Sequence, residues 1–379
     1  MNEEEQISPS LGEKTVKVIK NNVVLIIAIL AATITSVIVP PDKAYLEYFD
    51  FKTLSCLFSV LAVVCALGNI RFFYNIAKEI VRRFKNAKIA VLALVYITFL
   101  GSMLIANDMA LLTFLPLGYF VLHTTGKEKY LSFTFIMQNI AANLGGMLTP
   151  FGNPQNLYLY SKFNISDLEF VGIMLPPFVL SVALITLCCL IFVKSEPLAI
   201  DNEPNHMPKW RVAVYLVLFL ISILMVFKFM PFWIGLIIVF VSILILDRKA
   251  LLRVDYGLLF TFVFFFIFAG NMGRIDVVRD FFSHLLNINT LIFSAISCQF
   301  ISNVPSAILL SQFTDNYKEL LLGVNIGGAG TLIASLASLI TFRQYTKRQP
   351  GRTFKYLLEF SAFNFGFLII LAVFCLIIV

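Results

Sequence analysis

The chain has 379 residues, of which 59% are hydrophobic and 13% charged, with 39 Phe and a formal net charge of +7. A soluble domain is roughly half apolar and about a quarter charged, so this composition excludes a soluble globular protein. Apolar runs long enough to cross a hydrocarbon core of about 30 Å recur instead, and the excess positive charge sits in the short loops between them, as the positive-inside bias requires, not as a nucleic-acid surface.

In chain order, residues 1–22 are polar and read as a cytoplasmic N-terminal segment. The first apolar run, 23–40, lacks a small-residue cleavage site and is expected to be a retained span that anchors the chain in the lipid bilayer. A second span is expected at 52–69, then an amphipathic surface stretch at 71–86. Residues 89–123 start and finish at cytoplasmic basic loops, with a polar interruption at Ala106, Asn107 and Asp108. They therefore read as a re-entrant hairpin of two short helices. A broken span at 130–160 and a span at 169–193 complete a first repeat, 23–193. Residues 194–228 form a linker with a connecting span at 211–227. The second repeat, 229–379, has spans at 229–246 and 256–270 and an amphipathic stretch at 274–286. A hairpin at 289–312, a broken span at 318–341 and a last span at 354–379 complete it. The expected fold is an all-α polytopic membrane protein, an inverted repeat of five elements each. It has about nine spanning helices, two re-entrant hairpins and two broken helices, with the C-terminus outside.

The repeat is written in the residues. Asn143, Gly145, Gly146 and Thr149 recur in the same spacing as Asn325, Gly327, Gly328 and Thr331. Each set lies downstream of a tip containing Asn, Asn107 in the first half and Asn303 in the second. By loop charge the halves are inverted, and inverted repeats with interrupted helices are the construction of secondary transporters.

Irregular backbone at membrane depth survives only where it is buried in protein or lines a wet cavity. The breaks are thus expected to hold the substrate. Helix N-termini there favour an anion, while freed carbonyls and Asn oxygens suit Na⁺. Gly145, Gly146, Gly327, Gly328 and Gly330 are read as permitting unusual backbone angles and close approach. Thr149, Thr331, Ser302 and Ser306 supply hydroxyls, and Pro150, Pro154 and Pro305 stop the helices from re-forming. Asn153 and Asn156 extend the polar set in the first half alone. Asp108 is the one acidic residue placed at a tip, with an N-capping role as its alternative to binding a coupling cation or proton. The coupling ion is expected at Asn107, Asp108, Gly145, Asn303 and Gly327, with Na⁺ held at Asn107 and Asn303.

Other chemistry is absent from the pattern. The six Cys lie in apolar runs without metal spacing, the three His are scattered, and there is no phosphate-binding loop. No cofactor and no enzymatic activity are expected.

With these residues in view, the chain resembles the ion transporter superfamily over about 23–379. IANDMALLTFLP is similar to the first-hairpin motif of arsenite permeases and their Na⁺/H⁺ antiporter relatives. NLGGMLTPFGNPQN resembles the motif that follows there and in citrate permeases. SNVPSAILL and GVNIGGAGTLIASLASLI resemble their second-half counterparts. The divalent-anion/Na⁺ symporter branch carries Ser-Asn-Thr at each tip, of which only Asn107, Asn303 and Ser302 have counterparts here. That departure counts against a dicarboxylate. The resemblance implies a secondary anion carrier driven by Na⁺ or H⁺, working by an elevator motion as a homodimer in an inner (plasma) membrane. A partner ATPase, as some arsenite permeases have, is compatible with it. A Na⁺/H⁺ antiporter using Asp108 is the alternative.

Overall fold

The computed structural model describes residues 23–198 and 208–379. The expected N-terminal segment and the middle of the linker lie outside the described residues. Every named element within them is helical and none is a strand, as an apolar chain in lipid requires, because a helix satisfies its own backbone donors and acceptors. In the first half these are α1 (Val23–Ile38), α2 (Phe51–Asn69), α3 (Phe72–Arg82), α4 (Ala87–Ile105), α5 (Asn107–Thr124), α6 (Leu131–Gly145), α7 (Pro154–Lys162) and α8 (Asp167–Phe192). The connecting helix is α9 (Lys209–Val226). The second half has α10 (Phe232–Leu246), α11 (Arg248–Arg253), α12 (Tyr256–Gly273), α13 (Asp276–Ile288), α14 (Thr290–Ile301), α15 (Asn303–Leu310), α16 (Tyr317–Ile326), α17 (Leu336–Arg348) and α18 (Thr353–Ile378).

Six of these helices are long and apolar enough to cross a membrane: α2, α4, α8, α9, α12 and the one ending at Ile378. This is a multi-pass membrane protein. Side-chain oxygens of Asp50, Asn86, Ser166, Asp255 and Asn289 accept from the first-turn N–H groups of α2, α4, α8, α12 and α14. These caps set where the helices start. The amphipathic stretches are helical as expected, over α3 and α13.

Three boundaries differ from expectation. The arms of the first hairpin are not short: at 19 and 18 residues they run about 27–28 Å at 1.5 Å per residue, as long as a span. The polar interruption is one residue wide, because Asn107 and Asp108 already belong to α5. Finally, α17 continues to Arg348, past the expected end at 341.

Packing repeats between the halves. The first arm of each hairpin lies along the first part of its own broken helix, α4 on α6 and α14 on α16. The second part of each broken helix instead lies on the second hairpin arm of the other half, α7 on α15 and α17 on α5. The two halves therefore exchange elements at the centre, and α1 packs along α12.

Candidate functional site

Both hairpin tips turn through one residue. Ala106 has φ 64° and ψ 153°, and Ser302 has φ 73° and ψ 158°. This region is nearly exclusive to Gly and costs a non-Gly residue on the order of 1–3 kcal/mol. The turn makes the following Asn the first residue of a helix. In both tips that Asn folds back so that its Oδ1 accepts from the next backbone N–H at 2.9 Å, Asn107 from Asp108 and Asn303 from Val304. Asn303 N–H also donates to the Ala334 carbonyl across the second break, at 3.0 Å.

The breaks clamp the tips in matching ways. Thr149 Oγ1 donates to the Met103 carbonyl at 2.8 Å and Thr331 Oγ1 to the Gln299 carbonyl at 3.0 Å. Met103 and Gln299 each lie one helical turn before the tip Asn. Gln299 adds bonds to the Gly327 and Ala329 carbonyls and accepts from Thr331 N–H, which satisfies the unwound backbone of the second break. In the first, Asn156 donates to the carbonyls of Gly146, Met147 and Thr149.

At four of the five glycines space, not angle, is what matters. Gly145, Gly146 and Gly327 have ordinary helical angles, and among the five only Gly330 is left-handed, at φ 129°. A Cβ on Gly145 would stand 2.2 Å from the Phe99 carbonyl, and one on Gly327 2.9 Å from Ala295 Cα. On Gly146 it would meet Asn153 Oδ1 at 2.4 Å, and on Gly328 it would sit 3.2 Å from Asn303 Nδ2. The angle-permitting part of the reading is therefore corrected for Gly145, Gly146, Gly327 and Gly328, where close approach is what demands Gly, and it stands at Gly330.

Asn143 joins the two halves. Its Oδ1 accepts from Asn107 at 3.1 Å and from Ser335 at 2.8 Å, and its carbonyl accepts from Asn153 at 3.2 Å. Asn325 Oδ1 accepts from Asn153 and Gln155, and its Nδ2 donates to Asn156 at 2.6 Å. Three buried amide atoms in this network lack a partner among the described residues: Asn143 Nδ2, Asn153 Oδ1 and Gln155 Oε1. Orphaned buried polar atoms of this kind call for a water, an ion or a ligand.

A cavity of about 100 Å³ lies against both tips. Of the expected site residues, Asn107, Asp108, Ser302, Asn303 and Pro305 line it. Asn143, Asn153 and Asn325 stand behind them in the bridging network. Gly145, Gly146, Gly327, Gly328, Thr149 and Thr331 fasten hairpins to breaks outside that lining, and Ser306 is turned to Ser297 Oγ at 2.9 Å. Asp108 does not cap α5, since no side-chain cap bond is made there and its carboxylate accepts no hydrogen bond among the described residues.

Four helices begin at the wall of this cavity: α5 at Asn107, α7 at Pro154, α15 at Asn303 and α17 at Leu336. Arg343, Asp255 and Thr261 also line it, and none was singled out from the sequence. Arg343 counted as a loop charge because the broken span was expected to end before it, and Asp255 counted as a loop residue ahead of α12. Ser335 was detectable, since it follows Asn153 by the same interval that separates Asn143 from Asn325 and Thr149 from Thr331.

Interrupted helices whose breaks meet at one cavity, with Asn, Asp and Ser side chains at its wall, inside an apolar helical bundle define a membrane transporter. The chain belongs to the citrate transporter family, whose model matches residues 13–317. An uncharacterized transporter of Methanocaldococcus jannaschii is 35% identical over 295 residues, covering 78% of this chain and 81% of its own. The inner membrane protein YbiR of Escherichia coli is 28% identical over 315 residues, covering 81% and 83%. A silicon efflux transporter of rice is 28% identical over 152 residues, 39% of this chain and 30% of that one.

Proposed function

We propose that this protein is a secondary active carrier of a small inorganic or carboxylate anion, coupled to Na⁺ or H⁺. The observation that carries the anion is the convergence of four helix N-termini on the cavity. Each brings the positive end of a helix dipole to the wall, and Arg343 adds a full positive charge there. Asn107 and Asn303 are the substrate's side-chain donors. The coupling ion belongs beside it. Asp108 and Asp255 bring two carboxylates to the cavity, and the partnerless amide oxygens of Asn153 and Gln155 are hard oxygen ligands of the kind Na⁺ takes. The family is named for citrate and the rice relative for silicon.

The paired elements and exchanged packing support an inverted repeat, and with it alternating access by an elevator movement in a homodimer. The distribution of basic loops favours an inner-membrane orientation with the N-terminus cytoplasmic and the C-terminus outside. Flux in proteoliposomes tests the proposal: Asn107→Ala and Asn303→Ala are each expected to abolish anion uptake while expression survives, and normal flux in both would remove the site. A second reading, Na⁺/H⁺ exchange at Asp108, draws on the two cavity carboxylates. Collapse of a pH gradient by Na⁺ without any anion would establish that reading in place of the first.

A further inference from the structure

A second cavity, of about 460 Å³, opens where α6, α8, α17 and α18 meet, away from the central site. Among the described residues, Lys129, Lys194, Arg352 and Lys355 line it with a single carboxylate, Glu359. Lys129 is held by Glu196 at 2.5 Å, and Lys355 stands 3.7 Å from Glu359. Lys194 and Arg352 are exposed and have no carboxylate partner among the described residues. Unpaired cations facing one cavity between helices are the chemistry that captures a phosphate oxyanion.

The other wall is apolar. The rings of Phe133, Phe192 and Phe363 pack on one another with centroids 5.2–5.6 Å apart. The two helices flanking the cavity, α8 and α18, are also the least covered of the six long apolar helices. Only 22% of each apolar window is buried, against 33–67% in the other four. A soluble anion has no use for an aromatic wall continuous with sparsely covered apolar helices, whereas a diacyl lipid does.

We infer that this cavity binds the phosphate of an anionic phospholipid, with Lys194 and Arg352 as the principal contacts and the acyl chains against the three Phe rings. The full chain in nanodiscs or detergent is titrated with phosphatidylglycerol, with phosphatidylcholine and with soluble glycerol phosphate. Binding is read by native mass spectrometry and by the unfolding midpoint. Phosphatidylglycerol is expected to bind in preference to phosphatidylcholine. The double variant Lys194→Gln/Arg352→Gln is expected to weaken it about thirtyfold, two cations at about the near-surface value of a basic residue. Lys85→Gln/Lys249→Gln removes equal charge elsewhere and is expected to leave the affinity unchanged. Equal loss in both double variants, or no preference for the anionic lipid by the wild type, overturns the inference. So does an equal midpoint shift from glycerol phosphate, which would make this a site for free oxyanions. The lipid competition needs no variant and decides the matter even if the substitutions fail to fold.

Discussion

At the scale of single residues, close approach matters more than polarity for half of the motif. Gly145 is pressed against the Phe99 carbonyl, and no flexible side chain is available to give way. Gly145→Ala should therefore destabilise the protein by about 1–3 kcal/mol or more, read as a lowered unfolding midpoint in detergent. Gly366→Ala, on α18 with nothing within 4 Å of the new Cβ, should be neutral or slightly stabilising, as Ala favours helix. If both changes lower the midpoint alike, the packing account is wrong. Arg343 makes a sharper test of the site. Arg343→Gln removes the one positive side chain that lines the cavity among the described residues and should raise the KM for the anion by about tenfold or more, the worth of one charge-assisted hydrogen bond. An unchanged KM would place the anion elsewhere. The motif residues Asn107 and Asn303 were legible because their side chains must meet something at the tip. Arg343 was not, because its position depends on where α17 ends.

At the scale of elements, the strap that follows α8 is the clearest long-range tie outside the membrane-spanning helices. The Glu196 carboxylate bonds Lys127 at 2.7 Å, Lys129 at 2.5 Å and the Tyr130 hydroxyl at 2.8 Å. Its backbone carbonyl accepts from Ala87, and Leu198 donates to Lys85. One short segment thus fastens the end of α8 to the start of α4 and to the loop before α6. These three donors hold the Glu196 carboxyl down to about 2, below its ordinary 4.5. A depressed acid stabilises the fold above its unfolded value and loses that contribution as pH falls through the folded one. The difference in unfolding midpoint between wild type and Glu196→Gln should then be steady from pH 7 to about 5. It should shrink below 4.5 and vanish near pH 2. A difference that stays constant across that range would mean the carboxylate charge plays no part. None of this was visible in the sequence, where residues 194–198 read as plain linker. Helix placement was largely legible, because apolar length and capping residues are local properties. The hairpin arms were misjudged in length because a charge-based topology counts loops, not turns of helix.

At the scale of the whole molecule, the two halves are not independent domains. The second part of each broken helix rests on the opposite half's hairpin, and Asn143 and Asn325 each bond residues of the other half. Cutting the chain in the linker between Leu198 and Pro208 should give halves that show no cooperative unfolding when expressed alone. Co-expressed, they should reassemble into a particle with an unfolding midpoint near that of the intact chain. Stable separate halves would mean that the exchanged contacts contribute little.

The amino-acid sequence alone determined that this is an all-helical membrane protein with two Asn-tipped turns, each followed by the same Asn, Gly and Thr spacing. Those properties follow from hydrophobic length, loop charge and a short recurring pattern, all local to the chain. Only the tertiary structure decided that the tips share a cavity, that four helix starts converge on it and that Arg343 and Asp255 stand at its wall. Those contacts join residues far apart in sequence, brought together because each broken helix can bury its second part only against the other half.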